Sequence, residues 1–244
     1  MKPTAALVRL GGGLFGDRRR LGSLAAAAAA AGVLASGAQA APKAASQSIV
    51  AQAIRPAVAV YRKPGARRPF TTLRNPNAHG SQLVFLVKSR RPGWEHVYLP
   101  MRPDGATGWI RDSQVQLAID PYRIVVSLGR HRITVYKGRR IFYAAPAGVG
   151  RSVTSTPTGT YYLVELLEQT DPSGPYGPYA FGLSAFSKVL YSFGGGPGEI
   201  GLHGTDEPSG LGTDVSHGCI RISNAGITKL AHTLPLGTPI TIMH

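Results

Sequence analysis

Short apolar runs that alternate with polar residues recur along the chain from residue 49, and turn residues break them at close intervals. Residues 57–61 and 83–87 are two such runs, bounded by Pro-Gly, Asn-Pro-Asn and Asp-Gly turns. This pattern is typical of short β-strands. It predicts a small β-barrel over residues 49–119. The boundary is expected at Asp120, because a residue before proline favours an extended backbone.

A second β pattern fills residues 121–244. Residues 122–128 and 132–136 flank a Gly-Arg-His turn and predict a hairpin. Residues 224–235 place apolar side chains at helical spacing, with Asn224 as the candidate N-cap. We therefore predict a mainly β chain, in which a small N-terminal β-barrel precedes a β-sandwich-like domain with one short helix.

Residues 168–198 depart from both patterns. The segment is rich in Gly, Pro, Tyr and Phe and has little periodicity. Loops of this length are uncommon in compact domains unless they are functional. We predict a lid whose aromatic side chains cover a cleft. The alternative is that part of these aromatic side chains packs inward beneath the loop.

The first 40 residues have the three parts of an export signal. A basic front that includes residues 18–20 precedes an Ala-rich apolar run, and Ala38-Gln39-Ala40 fits a small-x-small cleavage site. The apolar run has about 14 residues, whereas a bilayer span needs roughly 20. A cleaved signal is therefore favoured over a membrane anchor.

We predict a signal peptide over residues 1–40 and a flexible leader over residues 41–48. The mature protein would then lie outside the cytoplasm, in the periplasm or cell wall. A retained N-terminal membrane anchor is the alternative. The arginine run at residues 18–20 loosely resembles a twin-arginine signal, so the Sec and twin-arginine export routes both stay open.

The chain is strongly basic, with 27 Lys and Arg against 12 Asp and Glu and a formal charge of +15. For an exported protein, the fitting partner is an anionic cell-wall polymer or lipid headgroup. A basic surface kept for solubility is equally compatible. Nucleic acid is not expected, because the positive residues are scattered and no nucleic-acid motif is present. We expect a monomer.

Cys219 is the only cysteine, so in an exported protein it has no internal disulfide partner. A buried cysteine that behaves as a small hydrophobic residue is one interpretation. The other interpretation is catalytic, because two histidines precede Cys219: His217 lies two residues before it and His203 lies sixteen residues before it. An imidazole beside a thiol favours an imidazolium–thiolate pair, which suits peptide-bond chemistry.

Motifs around these residues resemble the signature of the L,D-transpeptidases, the YkuD-type catalytic domain. His203-Gly204 is followed, after a polar loop, by SHGCIRISN at residues 216–224. The bend STPTGTY at residues 155–161 and the closing GTPI at residues 237–240 also match. The resemblance covers residues 121–244.

This resemblance implies an enzyme that acts on peptidoglycan stem peptides, both donor and acceptor. It would acylate itself on a tetrapeptide stem, release D-alanine and transfer the acyl group to the side-chain amine of a neighbouring stem. No cofactor is implied. A carboxypeptidase or amidase that uses the same cysteine with water as acceptor is an alternative. A non-catalytic wall-binding protein is another, against which the presence of Cys219 counts.

The resemblance and thiol chemistry together assign roles to individual residues. Cys219 is the expected nucleophile and His203 the expected base, with the carbonyl of Gly204 orienting the other ring nitrogen of His203. The backbone N–H groups of Gly218 and Cys219 are the expected oxyanion donors. His217 is expected to support the site or bind substrate, and is the alternative base.

Three further residues complete the candidate site. Arg221 is a candidate for a substrate carboxylate or for a structural ion pair, and Ser216 and Asn224 are expected to hold the loop. Zinc binding by His203, His217 and Cys219 is chemically possible, but no fourth ligand is evident. No metal site is expected.

Residues 94–115 resemble the end of a bacterial Src-homology-3-like barrel, with a tryptophan strand, an Asp-Gly turn and a Gly-Trp-Ile-Arg strand. Such modules can bind cell-wall peptides, and Trp94, Trp109 and Tyr98 are the stacking candidates. The alternative is that these aromatics belong to the barrel core or pack against the second domain.

Overall fold

The computed structural model describes residues 47–193 and 195–244, which form two large β-sheets, two two-stranded sheets and one α-helix. The predicted signal peptide and most of the predicted leader, through residue 46, lie outside the described residues. Among the helical segments of the described residues, none combines the length and apolar character that a bilayer crossing requires.

The first half of the described chain forms a five-stranded antiparallel sheet and a separate hairpin. The strands are β1 Ser48–Ala53, β2 Ala57–Val60, β3 Thr71–Arg74, β4 Val84–Arg91, β5 Trp94–Tyr98, β6 Thr107–Arg111 and β7 Val115–Asp120. The sheet order is β6-β5-β4-β1-β7, and β2 pairs with β3. Alternate residues of these strands, such as Val58, Phe85 and Ile110, fill a common core. The identification of this region as a Src-homology-3-like barrel stays a prediction.

The second half forms a curled eight-stranded sheet with one helix. Its elements are β8 Tyr122–Ser127, β9 Arg132–Lys137, β10 Arg140–Pro146, β11 Val149–Gly150, β12 Gly159–Glu168, β13 Tyr179–Phe186, β14 Glu199–His203, β15 Asp214–Ser216, β16 Ile220–Arg221, α1 Asn224–Ala231 and β17 Pro239–Met243. The order is β10-β9-β8-β17-β12-β13-β14-β16, and β11 and β15 form a separate parallel pair. The predicted mainly β fold with one short helix is confirmed.

Helix α1 packs its apolar face, with Ile227 and Leu230 buried, into the core of this second sheet. Its N-cap is Ser223, whose hydroxyl accepts the Gly226 N–H at 3.2 Å. The prediction that Asn224 caps the helix is therefore wrong. The Asn224 side chain is engaged elsewhere, because its Oδ1 accepts the Thr205 N–H at 2.8 Å.

The predicted 168–198 loop contains a strand. Strand β13 occupies its middle and pairs with both β12 and β14. Phe181, Leu183 and Ala185 are buried at alternate positions, which is the spacing of a strand. The interspersed Gly and Ala residues hide this alternation in the sequence. Two shorter connections remain among the described residues, one over residues 169–178 and one over residues 187–193 and 195–198.

The two sheets pack against each other through a small apolar cluster. Tyr162 of β12 is fully buried beside Val50, Val84 and Leu86 of the first sheet. Its hydroxyl donates to the Tyr98 carbonyl at 3.3 Å, and the Tyr98 side chain packs on the same cluster. Of the three aromatic residues considered for wall binding, Tyr98 therefore packs against the second half of the chain.

Candidate active site

Strands β14 and β16 lie side by side and bring Cys219 next to His203. They pair in parallel, with Leu202 opposite Ile220, so Cys219 lies just before the paired segment. The Cys219 Sγ accepts the Gly201 N–H at 3.3 Å. A Cβ on Gly201 would lie 3.5 Å from His203 Cδ2 and 3.7 Å from Cys219 Sγ. The thiol and the imidazole thus both lie close to Gly201, which has no side chain to separate them.

The His203 ring is fixed by its neighbour. Its Nδ1 lies 2.7 Å from the carbonyl oxygen of Gly204. A carbonyl only accepts, so Nδ1 carries the proton. In the neutral ring, Nε2 is then the unprotonated nitrogen that can accept a proton from a thiol. The ring is only 2% exposed, which limits other orientations.

Burial keeps both groups uncharged in the free site. It lowers the pKa of His203 to about 4; Arg221 acts in the same direction, against the bond to Gly204 and the charge of Asp206. Burial also raises the pKa of the Cys219 thiol, against the effects of the Gly201 N–H and of Arg221. Both shifts favour a neutral thiol and a neutral imidazole over the expected imidazolium–thiolate pair, because both charged forms lose hydration.

This electrostatic state predicts a steep pH dependence of Cys219 alkylation. The rate constant for iodoacetamide should rise about tenfold per pH unit between roughly pH 6 and 8, because only the small thiolate fraction reacts. A preformed ion pair would instead give a nearly flat rate over this range. Intact-protein mass spectrometry of timed samples measures the rate, and a pH-independent rate would contradict the neutral pair.

The turn that carries Cys219 is held by Ser216. The Ser216 hydroxyl donates to the Cys219 carbonyl at 2.6 Å and accepts the Gly218 N–H at 3.0 Å. The Gly218 N–H, one of the two expected oxyanion donors, is thus engaged within the turn. The Cys219 N–H has no such partner in the described part of the chain. Their roles as oxyanion donors stay predictions, with Cys219 better placed than Gly218.

Thr156 supports the same turn from the bend at residues 155–161. Its buried hydroxyl donates to the Gly218 carbonyl at 2.8 Å and accepts the Gly150 N–H at 2.9 Å. In the sequence, this bend stands out only as part of a family signature, and Thr156 has no predicted role. The contact spans 62 residues of sequence, so no local pattern could indicate it.

Thr156→Val is expected to lower the free energy of unfolding by about 1–3 kcal/mol, because it leaves a buried carbonyl and a buried N–H without a partner. Denaturant unfolding measures the change. Thr158→Val is the matched control, since Thr158 is exposed two residues away. Equal stability of the two variants would show that the Thr156 bonds do not hold the turn.

His217 lies apart from His203. It is exposed, and its ring stacks on Phe193 with centroids 5.5 Å apart and planes 30° apart. Its side chain lines a small recess together with Cys219, whereas His203 and Cys219 line a separate cleft of about 360 Å³. This position suits the expected supporting or substrate-binding role, which stays a prediction.

Arg221 and Asn224 contact the loop that follows His203. Arg221 Nη1 lies 3.6 Å from the exposed Glu207 carboxylate, and its buried Nε has no partner among the described residues. The structural ion pair considered for Arg221 is thus present. Asn224 accepts the Thr205 N–H, so it holds the backbone beside His203.

A cleft of about 360 Å³ opens at Cys219 and His203. Its lining includes Tyr176, an aromatic residue of the 168–198 segment that was predicted to cover a cleft. It also includes three residues that had no predicted role: His79, Glu165 and Glu199. Tyr176 meets the His203 ring edge-on at 4.9 Å. His79, from the first half of the chain, contacts Glu165 at 2.8 Å. Burial raises the pKa of Glu199 to about 7, and Glu165 adds to this rise. The cleft therefore has an acidic portion in an otherwise basic chain.

No three His, Cys, Asp or Glu side chains within residues 47–193 and 195–244 converge in a way that would hold a metal ion.

Comparison with known proteins places this site in a family. The model of the L,D-transpeptidase catalytic domain, YkuD, matches residues 121–242. A Bacillus subtilis protein provisionally named L,D-transpeptidase YkuD is 38% identical over 122 residues, which are 50% of this chain and 66% of the relative. A Bacillus licheniformis protein with the same provisional name gives the same identity and coverage. The chain thus spans slightly less than two thirds of the length of these relatives.

A solved structure, an L,D-transpeptidase from Mycobacterium smegmatis, has 16% sequence identity and a TM-score of 0.43, and the match covers 66% of this chain and 90% of that one. The family model covers half of the chain and includes every residue of the candidate site described above except His79. The chain belongs to the YkuD family of L,D-transpeptidase catalytic domains.

Proposed function

We propose that this chain is an exported cysteine L,D-transpeptidase that cross-links peptidoglycan. The observation that carries the proposal is that the Cys219 thiol and the His203 ring both lie close to Gly201 and line the same cleft of about 360 Å³. The family membership supports the same reaction class. Export rests on the sequence of residues 1–40 and is part of the proposal.

The proposed reaction begins with the amide between the third stem residue and the terminal D-alanine. As Cys219 Sγ attacks the carbonyl carbon, His203 Nε2 takes the thiol proton. The C–N bond of the tetrahedral intermediate then breaks, and the His203 imidazolium returns the proton to the departing D-alanine amine. A thioester on Cys219 and free D-alanine result.

The second half of the reaction repeats these roles with an amine. The side-chain amine of a neighbouring stem attacks the thioester carbonyl, and His203 takes the proton that the amine loses. The C–S bond breaks, the thiolate recovers that proton, and a new amide joins the two stems. An oxyanion forms in both halves, and one well-placed N–H donor typically contributes about 2.7–4 kcal/mol. The Cys219 N–H is the donor best placed for this.

A neutral Cys219 thiol beside a neutral His203 imidazole is compatible with these steps. A buried neutral thiol resists alkylation and oxidation until substrate fills the cleft. Proton transfer to His203 then accompanies the attack, so no charge separation has to exist beforehand. Burial of the ring, which lowers its affinity for a proton, also makes the imidazolium a stronger acid toward the leaving amine.

Incubation of the protein with purified tetrapeptide muropeptides tests the proposal. Cross-linked dimers with release of D-alanine are the expected products, detected by liquid chromatography and mass spectrometry. Tripeptides alone would identify a carboxypeptidase that uses water as acceptor. Unchanged tetrapeptides, with a protein that still reacts with a carbapenem, would point to another substrate for the same cysteine.

A further inference from the structure

The described residues of the connection between β13 and β14, residues 187–193 and 195–198, border Cys219 and are called the flap below. Phe193 and Pro197 line the cleft that contains Cys219. Phe193 also stacks on His217, and the flap lines the small recess that His217 and Cys219 share. The position of the flap therefore shapes the space around the thiol.

Hydrogen bonds hold the two ends of the flap together and leave three of its backbone carbonyl groups close to one another. The Ser187 N–H donates to the Gly198 carbonyl at 2.8 Å, and the Ser187 hydroxyl accepts the Leu190 N–H at 3.0 Å. The carbonyls of Ser187, Leu190 and Pro197 are left to bond with a donor from outside the flap.

Arg102 supplies that donor from the first sheet, in the connection between β5 and β6. Its Nη1 donates to the Ser187 carbonyl at 2.9 Å, and its Nη2 donates to the carbonyls of Leu190 at 3.2 Å and Pro197 at 3.1 Å. The guanidinium also lies 5.1 Å from the Phe186 ring centroid and 4.7 Å from that of Tyr191. One side chain thus bonds the start, the middle and the end of the flap.

A guanidinium is suited to this position for a physical reason. It presents several N–H groups in a fixed plane and stacks on aromatic rings, whereas an ammonium is a single point charge. Bonds between a charged donor and carbonyl oxygens are also stronger than neutral ones. The three contacts span 85 to 95 residues of sequence.

Asp104, two residues further on, attaches the same connection to the second sheet independently of the flap. Its Oδ1 accepts the Phe186 N–H at 2.9 Å, and its Oδ2 accepts the Tyr161 hydroxyl at 3.3 Å. Removal of the Arg102 side chain should therefore release the flap while the two sheets stay joined.

We propose that Arg102 is a positioning residue of the active site, through which the first sheet holds the flap beside Cys219 and His217. The first sheet is then part of the catalytic apparatus as well as a possible wall contact. The effect on turnover rests on the function proposed above, whereas the effect on the flap does not.

Arg102→Ala and Arg102→Lys test the proposal, with Arg111→Ala as the matched control. Arg111 lies on the same sheet and is exposed, and its guanidinium stacks on Tyr61 and Trp94 of that sheet. For Arg102→Ala we expect kcat/KM with a tetrapeptide donor to fall about ten- to hundredfold, mainly in kcat, because the flap no longer orders substrate at the thiol. Arg102→Lys should recover only part of the loss, and Arg111→Ala should match the wild type.

Two measurements follow the flap without requiring turnover. Hydrogen exchange should accelerate in residues 187–198 of Arg102→Ala and stay unchanged in the core strands. Alkylation of Cys219 by iodoacetamide should become faster while acylation by the donor becomes slower, a divergence that general loss of structure would not produce.

The proposal is overturned if the flap exchanges at the wild-type rate in Arg102→Ala, or if faster exchange spreads evenly over both sheets. Wild-type kcat/KM in Arg102→Ala would also overturn it. If the wild-type protein turns over no muropeptide, the proposed function fails, and exchange and alkylation still decide whether Arg102 holds the flap.

Discussion

Cys219→Ala is expected to abolish acyl-enzyme formation with a tetrapeptide donor or a carbapenem. Among the described residues that line the cleft, Cys219 is the only cysteine, and no serine, threonine or lysine lines it. Loss of the nucleophile in a comparable acyl-transfer enzyme costs on the order of 10⁶ in kcat. Intact-protein mass spectrometry after incubation should show no mass increase, whereas the wild type should carry a single adduct.

The loss can be separated from misfolding. Cys219 Sγ accepts a single hydrogen bond, from Gly201, so we expect the stability of Cys219→Ala to change by only about 1 kcal/mol. Cys219→Ser is the matched variant, because it keeps a hydroxyl of similar position with a much weaker tendency to ionise. An adduct on Cys219→Ala at the wild-type rate would move the nucleophile to another residue.

The candidate nucleophile and the candidate base could be proposed from sequence because their signals are local. A lone cysteine and the His-Gly and Ser-His-Gly-Cys motifs lie within 17 residues on adjacent elements. The choice between the two histidines also had a physical basis, since His203 ends a strand and His217 lies in the turn. The structure places His203 in the cleft with Cys219, whereas the His217 ring stacks on Phe193 of the flap.

The parts of the site that sequence did not reveal are contacts between distant segments. Arg102 bonds the flap across at least 85 residues, and His79 bonds Glu165 across 86. Neither residue stands out in composition or periodicity. Strand β13 was missed for another reason, because Gly182 and Ala185 weaken the alternation that would have marked it.

The charge state of the pair was also beyond sequence reasoning. Adjacent Cys and His residues suggest an ion pair when both are solvated, but desolvation acts against each charged form. His203 is 2% exposed, and its burial outweighs the nearby charge of Asp206. Only the packing around the two residues decides which effect prevails.

The helix cap illustrates a competition between two neighbouring side chains. Ser223 and Asn224 both favour N-cap positions. The Thr205 N–H, beside the base, is satisfied by Asn224, and Ser223 is left to cap α1. Which of the two residues caps the helix is thus decided by the hydrogen bond between Asn224 and Thr205, 19 residues apart in sequence, which also supports the backbone beside His203.

His203→Ala is expected to slow acylation of Cys219 by a factor of about 10²–10⁴, the usual contribution of a general base. Without the ring, the thiol proton must pass to solvent or to another group that lines the cleft, such as Glu199. Stopped-flow fluorescence with a carbapenem measures the rate. His217→Ala is the matched control and should cost far less, because its ring lies against Phe193.

The pH dependence of the same rate distinguishes the two histidines. Because burial lowers the pKa of His203 to about 4, the ring stays neutral and able to accept a proton until the pH falls toward that value. Wild-type acylation should therefore decline as the pH is lowered toward about 4, since protonated His203 cannot act as base. His217→Ala should keep this decline, and His203→Ala should lose it. If instead His217→Ala were the slower variant and lacked the acid decline, His217 would be the base and the hydrogen bond from His203 to Gly204 would be structural.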